Sequence, residues 1–261
     1  MKYKTYVSES LKNGKIMRWT FSPLKVYIAP MNFYSKQGED YKYRQMVKRA
    51  MDEWQAVSGG KVSFRQVNAL LESNINIDWK RVDRKALGHC QFHFDGSNRL
   101  YGAEVSIGLT DGAVHKDYGD EGEVYHTILH EIGHALGLGH SHNKSDIMYT
   151  PHQKGVLRLS EGDKTTLKWL YTFPQGATVS RIASSYGVGG ANIDEVIEKI
   201  TNKQHKSEFE KVKSGVKVLQ RDLLEENESI GNLRKYHMAL QNVQISDDMR
   251  KFFTQNKRNR D

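Results

Sequence analysis

The chain reads as an α+β protein. Three observations up to about Phe173 carry that reading: short runs in which apolar residues alternate, two long helical stripes among them, and glycine-rich breaks between the runs. Leu24–Ile28 alternates and gives the first strand. Tyr43–Val57 places Met46, Val47, Ala50, Met51, Trp54 and Val57 on one helical face and is closed by Ser58-Gly59-Gly60. Alternation returns in Lys61–Val67 and Ile75–Trp79, and Leu87–Phe94 and Leu100–Leu109 are two more strands joined by a turn at Asp95–Asn98. A second helix runs from about Glu123 to Leu136, and Ser160 caps a third that reaches about Tyr171. Pro174-Gln175-Gly176 then marks a boundary between 1–173 and 174–261. From Thr178 onward the pattern is helical, in pieces separated by Gly187–Gly190, Gly215 and Gly231.

Composition narrows the classes. With 261 residues, 38% apolar and 10% aromatic, the chain has material for a packed core. No apolar run approaches the roughly 18 residues of a membrane helix, so no integral membrane segment is expected. Cys90 is the sole cysteine and has no partner for an internal disulfide. The net charge of +8 is spread along the chain, with one dense cluster at Lys257-Arg258-Asn259-Arg260, so nucleic acid is not an expected partner. Met1–Lys15 is polar and shows no export-signal stretch, which leaves both cytoplasm and export open.

The chemistry is concentrated in His130-Glu131-Ile132-Gly133-His134-Ala135-Leu136-Gly137-Leu138-Gly139-His140. Four residues apart on a helix, His130 and His134 share one face and can converge on one zinc. Glu131 is rotated by about 100° from His130, poorly aimed as a ligand but able to reach a water at the metal as general base. Continued as a helix, the chain would point His140 away. Gly137 can take the left-handed conformation that ends a helix, which lets His140 swing in as third ligand. Three imidazoles leave a fourth position for a water, as in catalytic zinc sites. His126 lies one turn before His130, but the outer pair of three such histidines is about 12 Å apart, so His126 is left out of the metal set.

These residues resemble the metzincin metallopeptidases, and Ser141 after the third histidine resembles the matrixin branch, which includes the matrix metalloproteinases. Ser145-Asp146-Ile147-Met148-Tyr149 resembles the family's methionine turn, in which Met148 would form an apolar floor beneath the imidazoles. The resemblance spans roughly Arg18–Tyr171. It implies a metzincin catalytic domain: a twisted mixed sheet of about five strands, a long helix, an active-site helix and a C-terminal helix. It also implies a zinc-dependent endopeptidase cleaving internal peptide bonds with a metal-activated water and Glu131 as base, secreted or at the cell surface. Leu87, Gly88, His89 and Cys90 fall where matrixins have the edge strand that pairs with substrate backbone.

The departures are also informative. Val82–Lys85 is short where matrixins carry a loop for a second zinc. Ser106 stands where a later histidine ligand would be, and His89 alone does not hold an ion, so no second zinc is expected. Asp117–Glu123 is acidic enough for calcium, but a solvated helix N-terminus explains it, so calcium is not assigned. No inhibitory propeptide cysteine is seen. Gly176–Val188 with Ile193–Ile197 resembles the first half of a LysM module, a type that binds peptidoglycan or chitin, without its closing strand. The other reading of that region is a small helical appendage that packs on the catalytic domain or recruits a partner, with Leu219, Leu223, Leu224, Ile230, Leu233, Met238 and Leu240 as its core. The alternative function is a surface- or peptidoglycan-binding protein with a structural or latent zinc site.

Overall fold

A computed structural model of the chain describes residues 4–31, 39–81, 87–109 and 121–225, with side chains of the last helix described to residue 214. Val82–Lys85, the start of the acidic stretch at Asp117, Gly231 and the basic cluster at 257–260 lie outside the described residues, as do the expected appendage core side chains from Leu219 onward.

Five strands form one mixed sheet in the order β4 (Phe64–Val67), β3 (Leu24–Ile28), β5 (Ile75–Arg81), β7 (Leu100–Leu109), β6 (Gly88–Phe94). All neighbours are parallel except β6, which runs antiparallel along β7 at the sheet edge, with Gly88 opposite Ile107 and Cys90 opposite Val105. Alternation explains the faces: Leu24, Val26 and Ile28 are buried, with Ile75 and Ile77 beside them. An N-terminal hairpin that the sequence did not suggest, β1 (Leu11–Lys12) with β2 (Lys15–Ile16), follows a short 3-10 turn at Val7–Ser10.

Helix α1 (Glu39–Val57) lays Val47, Ala50, Met51 and Trp54 into the core. Its Trp54 Nε1–H donates to the Leu129 carbonyl of α2 (Glu121–Ala135) at 3.0 Å. Eleven of the fifteen residues of α2 are buried, so this helix runs through the core and is not an amphipathic surface element. Helix α3 (Glu161–Thr172) starts with the expected Ser160 cap, completed as a capping box by Asp163.

The expected boundary at Pro174 does not coincide with a break in packing. The compact unit runs from Met1 to Asn202, and Lys203–Asp261 forms a second one. Helix α4 (Val179–Ser185) and the first turns of α5 (Ile193–Glu225) bury Ile182, Ala183, Ile193, Val196, Ile197 and Ile200 in the same core as the sheet. Backbone pairing adds to this, with Ile16 N–H donating to the Ala177 carbonyl and Gly176 N–H to the Ile16 carbonyl. The segment that resembles half a LysM module is therefore helix α4, a loop and the start of α5, and no strand follows it among the described residues. No described helix is long and apolar enough to cross a membrane.

Candidate metal centre

Helix α2 ends where Gly137 adopts φ +94°. Leu138 N–H donates to the Gly133 carbonyl at 3.0 Å and Gly137 N–H to the His134 carbonyl at 2.8 Å, the paired bonds of a Schellman ending. The turn brings His140 back to the helix. The side-chain ligand atoms of His130, His134 and His140 all lie within 4.8 Å of one another.

The imidazole orientations decide what this cluster can hold. His130 Nδ1–H donates to the Ile147 carbonyl and His134 Nδ1–H to the Leu138 carbonyl, both at 2.8 Å. A carbonyl can only accept, so each Nδ1 carries the proton and each Nε2 a lone pair. Yet His134 Nε2 stands 3.0 Å from that of His130 and 3.1 Å from that of His140. The facing lone pairs of His130 and His134 repel, and a cation between them removes the repulsion. With Zn–N near 2.0–2.1 Å, tetrahedral ligands stand about 3.3 Å apart, close to what is seen. Burial pushes the pKa of His130 down to about 3 and that of His134 down to about 4, so both are neutral near pH 7 and free to ligate. The donor set fits zinc.

Met148 is fully buried, and a Cβ on Gly133, the residue before His134, would meet its sulfur at 2.4 Å. That places Met148 against the helix beneath the cluster. Its loop is pinned by Asp163, whose carboxylate accepts from Ile147 N–H at 2.9 Å, Met148 N–H at 3.4 Å, Ser160 N–H at 2.9 Å and the Tyr6 hydroxyl at 2.6 Å. Ser141 N–H donates to the Met148 carbonyl at 2.8 Å, and the Ser141 hydroxyl to buried Asp146. Asp163 as the anchor of the methionine turn was missed in the sequence, where it shows only as the third residue of a capped helix.

Glu131 is buried, and its Oε2 has no hydrogen-bond partner among the described residues. Burial pushes its pKa up to about 8. The carboxylate lies against β6: a Cβ on Gly88 would stand 2.6 Å from Glu131 Oε1 and 2.7 Å from its Cγ. Leu87–Cys90 thus borders the site at the sheet edge. Cys90 is half-buried, and desolvation pushes its thiol pKa up. His89 sits opposite Ser106 on β7.

His126 is not a surface residue. It is buried, its Nδ1–H donates to the Val156 carbonyl at 2.7 Å, and its ring meets that of His152 with centroids 4.0 Å apart. His152 in turn contacts the Glu123 carboxylate. This Glu123–His152–His126 group fastens the 150–156 segment to α2, and periodicity on one helix could not reveal it.

Comparison with known proteins agrees with this geometry. Residues 18–172, well over half of the chain, match the Matrixin family model. The chain is 26% identical over 184 residues to a putative matrix metalloproteinase of Heliothis virescens ascovirus 3e, covering 62% of this chain and 35% of that protein. It is 27% identical over 185 residues to matrix metalloproteinase-B of Caenorhabditis elegans, covering 57% and 34%, and 27% identical over 195 residues to karilysin of Tannerella forsythia, covering 66% and 39%. The chain therefore spans little more than a third of the length of these relatives. On the family match and the three-histidine cluster together, the chain belongs to the matrixin peptidase family.

Proposed function

We propose that the protein is a zinc-dependent endopeptidase that cleaves internal peptide bonds of proteins. One observation carries the reading: three imidazoles whose Nε2 atoms converge, those of His130 and His134 with their lone pairs turned inward, beside a buried carboxylate oxygen that has no partner among the described residues. His130, His134 and His140 would hold the metal, which when bound supplies a Lewis acid for a carbonyl oxygen and for water. Family membership and the chemistry of the donor set support this assignment.

Glu131 does the proton work. Its unpartnered Oε2 takes a proton from the attacking water and delivers it to the departing amine. Burial raises the proton affinity of this carboxyl in the metal-free chain, and a bound dication beside it would favour the ionised form that accepts the proton. Substrate would lie extended along β6. Leu87 directs its carbonyl inward to Gly108 N–H at 2.7 Å, so strand alternation turns the backbone groups of Gly88 and Cys90 to the outer edge, where a peptide strand can add. A setting outside the cell or at its surface follows the habit of matrixins.

The test is digestion of an unbiased peptide library by wild type and Glu131→Ala, with the zinc content of each measured. Cleavage by wild type alone, both proteins holding about one zinc, is the expected result. Equal cleavage by both would remove the general-base assignment, and loss of zinc from Glu131→Ala would make Glu131 a ligand.

A further inference from the structure

His140 differs from its two partners. His130 and His134 are fixed by a buried helix, whereas His140 is exposed and stands on a loop, so its position depends on what the loop rests against. Two stretches outside residues 18–172 bear on that loop, an N-terminal one that touches it and the start of α5, which holds the N-terminal one.

The first contact is made by Asp194, in the opening turn of α5. Its Oδ1 accepts from the Thr5 hydroxyl at 2.6 Å and Val7 N–H at 2.8 Å, and its Oδ2 from Ser8 N–H at 3.0 Å. Asn192 fixes the start of that turn by accepting from Asp194 N–H at 2.8 Å. Tyr6 anchors the same segment to α3, its N–H on Thr166 Oγ1 at 3.2 Å and its hydroxyl on Asp163. The next two residues reach the histidine loop. Ser10 Oγ accepts from Gly139 N–H at 2.9 Å, and the Glu9 carbonyl lies so near that a Cβ on Gly139 would stand 2.1 Å from it. On the other side of His140, His142 Nε2 is 3.3 Å from the Glu9 carboxylate.

We propose that Asp194 is a positioning residue for His140: it holds Thr5–Ser8 so that Glu9 and Ser10 fix the loop from which His140 completes the three-histidine set. Its effect on metal rests on the zinc reading above, while its effect on the loop does not. The C-terminal extension thereby becomes part of the catalytic frame. Charge-assisted hydrogen bonds to one carboxylate suit this task, because losing the carboxylate frees two backbone amides and a hydroxyl together.

The experiment is residue-resolved amide exchange on the full metal-free chain, paired with zinc competition titrations. Asp194→Ala should speed exchange at Val7, Ser8 and Gly139 by about tenfold or more, and weaken zinc binding by about tenfold, the usual cost of losing a group that supports a ligand. Asp194→Asn, which keeps one acceptor oxygen, should fall between Asp194→Ala and wild type and stays informative if Asp194→Ala folds poorly. Ser10→Ala should reproduce the Gly139 and zinc effects while leaving Val7 and Ser8 protected. Ile197→Val, a plain loss of buried volume in α5, should move neither. Faster exchange at Val7 and Ser8 with Gly139 unchanged would overturn the proposal, as would a loosened Gly139 with unchanged zinc affinity. A wild type that takes up no zinc would sink the peptidase reading, and the loop-positioning role would then stand or fall on Gly139 exchange alone.

Discussion

Replacing Asp163 by alanine should be the most damaging single change outside the histidines. The carboxylate is fully buried and receives four donors from three parts of the chain. Alanine leaves the Ile147 and Ser160 amides, both held at 2.9 Å, without acceptors and removes the capping box of α3. At about 1–3 kcal/mol for each stranded buried amide and about 1 kcal/mol for the cap, the loss comes to about 4 kcal/mol. For a compact unit of this size that is a fall of about 10 °C in Tm. Asparagine should rescue only in part, because with its oxygen toward the Ile147 and Ser160 amides its NH2 group faces the Met148 amide and the Tyr6 hydroxyl. Since Ile147 also carries the carbonyl that orients His130, zinc affinity should fall along with stability. Urea unfolding of metal-free Asp163→Ala and Asp163→Asn measures the cost. A loss below about 1 kcal/mol in both would show that the Asp163 network does not hold the methionine turn.

Gly88→Val should push a branched side chain into Glu131 Cγ and the Thr127 methyl, each 2.7 Å from the new Cβ, and lower kcat about 10²-fold with zinc content intact. Steady-state kinetics with metal analysis check it, and an unchanged kcat would mean that Glu131 is not confined by β6. Zinc at about 100 times its Kd should raise the stability of the wild type by about 2.7 kcal/mol and that of His140→Ala by far less, read as a Tm shift at fixed protein concentration. Acid should destabilise the metal-free protein: burial lowers the pKa of His126, His130 and His134 below the ordinary value of 6.5, so the unfolded chain binds more protons and stability drains away as pH falls from about 6.5 towards about 4. Urea midpoints that stay flat across that range would contradict the buried neutral state.

What could be read in the sequence is what is encoded locally. The spacing of His130 and His134, the helix ending at Gly137 and the Ser160 cap each need only a few neighbouring residues, and all three stand as expected. The strands were also visible, because Leu24, Val26 and Ile28 or Ile75 and Ile77 alternate on a half-buried surface. Their order was not, since nothing near Leu100–Leu109 says that it runs parallel to β5. The N-terminal segment gave no signal because its partners are Thr166, Ala177 and Asp194, far along the chain. Pro174-Gln175-Gly176 lies between α3 and α4, but a break between helices does not say whether the following apolar residues return to the same core, as Ile182 and Val196 do. The closeness of Gly88 to Glu131 depends on how a helix lies across a sheet, which no single window of sequence contains.

The pairing of Thr5–Ser8 with Asp194 also bears on timing during synthesis. At about 5–20 residues per second, the roughly 50 residues between His140 and Asp194 take about 3 to 10 s to be made after the last histidine. During that interval sheet, active-site helix and all three imidazoles exist, but the carboxylate that fastens the beginning of the chain does not. A nascent protein therefore passes through a stage in which the loop that carries His140 rests on an N-terminal segment still unfastened at Thr5–Ser8, and that fastening closes only after the first turn of α5 emerges.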